Sequence, residues 1–225
     1  MTEGSRDLRF YFDYISSNAY LAWREIQKLG VQYGRRVEPI PVLFAGLLEA
    51  HGQMGPAEIP PKAMWMAKNN LRKAALLGIE LNPPAAHPFN PLLALRVSSL
   101  PMPDPTRAKL IDGLFRAVWA QRRSLMEPAV VSAIASEAGL DGDKAITEAG
   151  RPEIKDALRS ATDSAIAAGV FGVPTILVED ELFWGYDDFP YLERLLAGND
   201  PLDREALSDW FQPRPSFHRR RPRHD

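Results

Sequence analysis

The sequence predicts an α/β fold of βαβ…ββα order with a large all-helical insertion, and three observations carry that prediction. A strand, a helix and a second strand open the chain. Helical periodicity then fills more than half of its 225 residues, and two strands and a helix close it.

Residues 8–14, LRFYFDY, are aromatic-rich and follow a polar lead, the signature of a buried strand. Ser16, Ser17 and Asn18 then supply helix-capping side chains. Ala19, Tyr20, Ala22, Trp23, Ile26 and Leu29 recur at helical spacing behind them. Gly30 and Gly34 are read as closing this helix, and residues 36–43 alternate like a strand that Pro39 and Pro41 confine to an edge.

From residue 44 to 168 the pattern is helical, with helices expected near 61–78, 105–122, 128–138, 141–149 and 151–168. The proline-rich stretch from Asn82 to Pro105 is read as a long connection. Strands return at Pro174–Val178 and Glu181–Trp184, with Glu179 and Asp180 turning between them, and Gly185 precedes an acidic helix start at Asp187 and Asp188. This is the element order of a thioredoxin-like fold. Residues 8–43 and 169–200 would form that discontinuous domain, 44–168 the helical insertion, and 201–225 a C-terminal extension. The tail from Gln212 carries five arginines and three prolines and is not expected to build a packed element.

Composition narrows the function. Hydrophobic residues make up 45% and charged residues 25%, as in soluble globular proteins, and the formal net charge of −2 offers no global field for nucleic acid or an anionic membrane. A small-molecule partner is expected, with no nucleic acid and no membrane. The absence of cysteine excludes dithiol redox chemistry and thiolate metal ligation, so any sulfur chemistry needs a borrowed thiol. Four histidines at 51, 87, 218 and 224 include no pair at helical metal-ligand spacing, so no metal site is expected. The opening MTEGSRDLRFYFDYI lacks the pattern of a secretory signal, and a cytoplasmic location is the expectation.

Two stretches carry chemistry. In Phe12–Ala22 a strand feeds a helix whose first N–H groups and dipole would stabilise an anion such as a thiolate; alternatively the serines only cap the helix. In Gly169–Thr175 a glycine-rich turn enters a strand through Val173-Pro174. That X–Pro bond can be cis and leave the Val173 backbone groups for an extended ligand, or the stretch is an ordinary strand entry. Trp65, Trp119 and Trp184 are candidates to wall an aromatic site or to fill the core.

A set of ordered matches goes further. They run through Phe10–Ser16 with Tyr20-Leu21-Ala22, Pro61-Lys62, Trp65, Asn69, Arg72 and Leu77-Gly78-Ile79. They continue through Asn90, Ala94, Arg96, Phe115–Trp119, Gly172–Thr175, Phe183-Trp184-Gly185 and Asp187. Over about residues 8–200 the chain resembles the DsbA-like family that holds the 2-hydroxychromene-2-carboxylate isomerases and the kappa-class glutathione transferases.

The resemblance implies a glutathione-dependent enzyme, usually a homodimer, acting on an aromatic carboxylate in aromatic-compound degradation. It implies Ser16 as hydroxyl donor to the glutathione sulfur, with Ser17 beside it. Val173 and Pro174 would present backbone to the cysteinyl part, Asp187 would lie near the γ-glutamyl amine, and Lys62 near a carboxylate. An isomerase of 2-hydroxychromene-2-carboxylate is the leading expectation; a kappa-type transferase and a non-catalytic ligand-binding protein are the alternatives. The chain departs from the family at Ser17, where proline is usual, at Asn69, where an acid is usual, and at Tyr186 and Asp188 beside Asp187.

Overall fold

A computed structural model describes residues 7–210. Strand β1 (Leu8–Phe12) leads into helix α1 (Ser17–Tyr33) and edge strand β2 (Val37–Pro41). Gly34, at φ 61°, caps α1, and its N–H reaches the Gly30 carbonyl. Gly30 itself lies inside the helix, not at its end, where an added Cβ would meet the Val37 side chain at 2.8 Å. The glycine therefore permits close helix–strand packing.

Helices α2 (Phe44–His51), α3 (Pro60–Leu77), α4 (Leu92–Ser98), α5 (Asp104–Trp119), α6 (Pro128–Glu137), α7 (Gly142–Glu148) and α8 (Pro152–Ala167) follow without an intervening strand. The stretch read as a connection between Asn82 and Pro105 thus holds a helix, α4. Its two turns fit between Pro91 and Pro101, and buried Ala94, Leu95 and Val97 anchor it to the core. Strands β3 (Thr175–Val178) and β4 (Glu181–Trp184), a 3-10 turn at Tyr186–Asp188, α9 (Phe189–Leu196) and α10 (Arg204–Trp210) complete the described chain. The arginine-rich tail from Gln212 lies outside the described residues.

The sheet has the order β2-β1-β3-β4. β1 pairs with β2 in parallel and with β3 antiparallel, and β3 pairs antiparallel with β4. The prolines of β2 therefore sit on an edge, where a missing ladder donor costs nothing. On one face of β1, Leu8, Phe10 and Phe12 pack with Trp23 and Ile26 of α1 and with Leu114 and Phe115 of α5. On the other, Tyr11 joins Leu177, Val42, Leu47, Ala165 and Val173. Both faces of the central strand are buried, which explains its unbroken apolar run. Phe12, Tyr14 and Phe115 form an aromatic cluster with centroids 4.8 to 5.7 Å apart, Tyr14 edge-on to both phenylalanines, which packs the C-terminal end of β1.

Candidate active site

The chain leaves β1 through Asp13, Tyr14 and Ile15, and each of these residues is tied down. Asp13 is buried; one carboxyl oxygen accepts from the Ile15 N–H at 3.0 Å and the other from the Phe44 N–H at 2.9 Å, joining the turn to the start of α2. Burial pushes its pKa from 3.8 up to about 7, although the Phe44, Ile15 and Tyr14 backbone N–H groups act in the opposite sense. Ser98 donates its single hydroxyl proton to the Ala94 carbonyl. Tyr14 must therefore be the donor in its 2.6 Å bond to Ser98 Oγ. Trp119 Nε1 donates to the Tyr14 carbonyl at 2.9 Å, so this tryptophan is a core brace and not a site wall. His87 Nε2 lies 3.1 Å from the Ile15 carbonyl, which only accepts, so that nitrogen carries the proton in this contact.

Ser16 follows this braced turn as the N-cap of α1. Its Oγ accepts from the Ala19 N–H at 3.1 Å while its backbone stays extended. Its own proton points to the Val173 carbonyl at 3.4 Å, long for a hydroxyl donor. The Ser16 hydroxyl is thus held firmly as an acceptor and loosely as a donor. The N–H groups of Ser17 and Asn18 open the helix, have no acceptor among the described residues, and add the positive end of the helix dipole.

The Val173-Pro174 bond is cis, and the backbone on either side of it is hydrogen-bonded in place. Thr175 Oγ1 donates to the Gly172 carbonyl at 2.8 Å, and the Gly185 N–H to the Pro174 carbonyl at 2.8 Å. Gly172 carries the Trp184 indole on its bare Cα: a Cβ there would come within 2.6 Å of the indole nitrogen. Trp184, tilted against Phe171 with centroids 5.3 Å apart and 49% exposed, presents an aromatic surface beside this segment.

The other side of the helix start meets α3 and the turn after β4. Ser17 Oγ accepts from Asn70 Nδ2 at 2.8 Å, and Asn18 Oδ1 accepts from the Tyr186 N–H at 3.1 Å. Three residues beyond Asn70, Lys73 forms a 2.6 Å ion pair with Asp187 and stands 5.7 Å from the Tyr186 ring centroid. Asp188 turns away and accepts from the Trp184 N–H at 2.8 Å.

Ser16 therefore meets Val173 and Pro174 directly, and Ser17 is linked to Asp187 through α3. Lys62 is not joined to them. It is exposed on the first turn of α3, about 16 Å along the axis from Lys73, and makes no hydrogen bond or ion pair among the described residues. Trp65 lies on the same helix and is 60% exposed.

Asn70 and Lys73 are not singled out by the sequence, and Asn18 is read there only as a helix-capping residue. A signal for two of them existed: Asn70 and Lys73 interrupt the inward face that carries Ala74 and Leu77, and polar groups on a buried face need partners.

Comparison with known proteins places this geometry. A family model described as a DSBA-like thioredoxin domain matches residues 7–197. The chain belongs to that family. This DSBA-like chain is 27% identical over 194 residues to the 2-hydroxychromene-2-carboxylate isomerase of Sphingobium xenophagum, covering 85% of the chain and 98% of the relative. It is 23% identical over 211 residues to human glutathione S-transferase kappa 1, covering 85% and 91%. A solved 2-hydroxychromene-2-carboxylate isomerase superposes with a TM-score of 0.78 at 26% identity, over 90% of this chain and 98% of that one. The Pseudomonas aeruginosa cytosolic disulfide reductase DsbM, solved with GSH, shares the fold with a TM-score of 0.60 at 16% identity, over 92% and 100%. Among the described residues no helix is long and apolar enough to cross a membrane, and no cluster of acidic or histidine side chains could hold a metal ion.

Proposed function

We propose that the chain is a glutathione-dependent isomerase of the 2-hydroxychromene-2-carboxylate type, with Ser16 as the residue that holds the thiolate. One observation carries this reading: the Ser16 hydroxyl is fixed at a helix start by the Ala19 N–H, yet donates only a long 3.4 Å bond to Val173. Turning that proton to an anion forfeits little, and the helix dipole favours the charge. The donor set also suits the tripeptide along its length. It offers hydroxyl and N–H donors for a thiolate, the Val173 backbone for a peptide, and an exposed carboxylate at Asp187 for an amine.

Glutathione held there would supply a thiolate able to add reversibly to a carbon–carbon double bond of the substrate, giving a single bond that can rotate before elimination returns both the double bond and the thiolate. The protein's task is orientation and charge stabilisation. Ser16 and the first N–H groups of α1 keep the sulfur anionic, and Trp184 offers its exposed face to an aromatic ring beside Val173. Ser16 needs no base, since it acts as a donor and not as a nucleophile. Among the described residues no hydrogen bond joins it to a histidine or carboxylate side chain.

The ultraviolet absorbance of a thiolate tests the assignment. Glutathione bound to the wild-type protein is expected to ionise well below the ordinary thiol value of about 8.5. With Ser16→Ala its ionisation should move back up. Bound glutathione that titrates alike in both proteins would refute the role given to Ser16.

A further inference from the structure

Resting on the isomerase reading above, we infer that His87 is a catalytic residue of the same site, whose Nδ1 carries a proton from one oxygen of the cyclic hemiketal substrate to the other as the ring opens.

The substrate class creates the need. 2-Hydroxychromene-2-carboxylate holds its double bond inside a ring, and its C2 bears both a hydroxyl and the ring oxygen. No ketone is then conjugated with the double bond, so a thiolate has no activated carbon to attack, and the ring forbids rotation. Opening must come first. The C2 hydroxyl loses its proton, the O–H electron pair forms the ketone, the bond from C2 to the ring oxygen breaks, and that oxygen leaves with the pair and takes a proton. A group that accepts the first proton and returns it to the ring oxygen completes the step with nothing consumed.

His87 is held in the state this requires. Its Nε2–H donates to the Ile15 carbonyl at 3.1 Å, which fixes the tautomer of the neutral imidazole and leaves the lone pair on Nδ1. Nδ1 makes no hydrogen bond among the described residues. Once Nδ1 is protonated, the Ile15 carbonyl accepts from a cation, so the contact that sets the tautomer also steadies the imidazolium.

Its place is equally specific. The Ile15 carbonyl belongs to the peptide unit that leads into Ser16, and His87 is its one donor among the described residues. The ring lies against Trp119 with centroids 5.8 Å apart and meets Phe89 edge-on at 6.4 Å. Asn82 pins the start of the loop to the end of α5, its N–H and Nδ2 donating to the Trp119 and Ala120 carbonyls, each at 2.6 Å. The imidazole is therefore braced by protein while the residue stays exposed.

Two other titratable groups near the site are less suited. Asp13 is buried with both oxygens committed to N–H groups. His51 Nε2 lies 3.1 Å from the Val170 carbonyl, but Val170 is wholly buried and three residues short of Val173. The plain alternative for His87 is that it only satisfies the Ile15 carbonyl, a task that any side-chain amide could perform.

The full-length protein, assayed with glutathione on two substrates, separates these roles. One is 2-hydroxychromene-2-carboxylate; the other is cis-benzylidenepyruvate without the ring hydroxyl, which needs thiolate addition and rotation but no ring opening. His87→Gln keeps a donor for Ile15 and removes the base. It should lower kcat on the hemiketal about a hundredfold and leave both the open-chain substrate and the thiolate absorbance of bound glutathione unchanged. In His87→Ala, imidazole added to the solution should restore part of the hemiketal rate.

The inference falls, with the glutathione reading intact, if His87→Gln keeps the wild-type rate on the hemiketal, if both substrates slow alike, or if imidazole restores nothing to His87→Ala. Wild-type protein that isomerises neither substrate with glutathione present would remove the isomerase reading itself, and this inference with it.

Discussion

Asp13 is the buried carboxylate on which the geometry of Ser16 depends, and it makes a measurable demand on pH. Its folded pKa of about 7 lies above the ordinary 3.8 because burial outweighs the N–H groups it accepts. The folded state therefore binds more protons than the unfolded state between those values, and this group's contribution is full below about pH 4 and lost as pH rises to 7. Chemical denaturation across pH 4 to 8 should show a fall on the order of 4 kcal/mol attributable to Asp13. Asp13→Asn should flatten that fall. It should also cost about 1–3 kcal/mol at acid pH, because one of the two oxygens that accept from the Ile15 and Phe44 N–H groups becomes an NH2, which cannot accept. An unchanged slope in the variant would reject the assignment.

The two adjacent serines separate at the same scale. Ser16→Ala removes a donor to an anion and should weaken glutathione binding about tenfold to a hundredfold near neutral pH. Ser17→Ala only releases Asn70 Nδ2 and should weaken it severalfold at most, as titration calorimetry can read. The reverse order would make Ser17 the working hydroxyl. Ser16 and Ser17 were both legible as capping residues from spacing alone. What spacing could not supply was the partner of each, since Val173 and Asn70 lie 157 and 53 residues away.

At the scale of elements, strands and long helices were readable because their periodicity is strong, and the exceptions have physical causes. Helix α4 was hidden because prolines crowd both of its sides, yet none falls within Leu92–Ser98 to break it. Helix α2 is short, with Leu47 its single buried residue, and so offers almost no periodic signal. The segment before β3 makes a prediction of its own. Gly172→Ala would drive a Cβ into the Trp184 indole at 2.6 Å. It should destabilise the protein by about 1–3 kcal/mol and shift the Trp184 fluorescence, since that ring must leave its seat. A thermal melt and emission spectrum identical to wild type would contradict the packing described.

For the molecule as a whole, a four-stranded mixed sheet brings two distant stretches to one end: the exit of β1 into α1 and the entry into β3. The DSBA-like family accounts for this meeting, and a sequence without cysteine leaves no dithiol at it. The fold was legible because βαβ and ββα patterns flank a helical middle. The polar ring of Asn18, Asn70, Lys73 and Asp187 was not, because it is assembled from three separate segments whose residues are ordinary in isolation. Relatives are named as isomerases and as transferases, so under the proposed function the fate of the thiol separates the two reactions.

The central claim is most directly tested by supplying 2-hydroxychromene-2-carboxylate with a trace of glutathione far below the substrate concentration. Conversion of the substrate to its ring-opened trans isomer over many turnovers, with glutathione fully recovered and the rate sharply reduced in Ser16→Ala, is the predicted result. No conversion, or consumption of one glutathione for each substrate as a stable adduct, would contradict it.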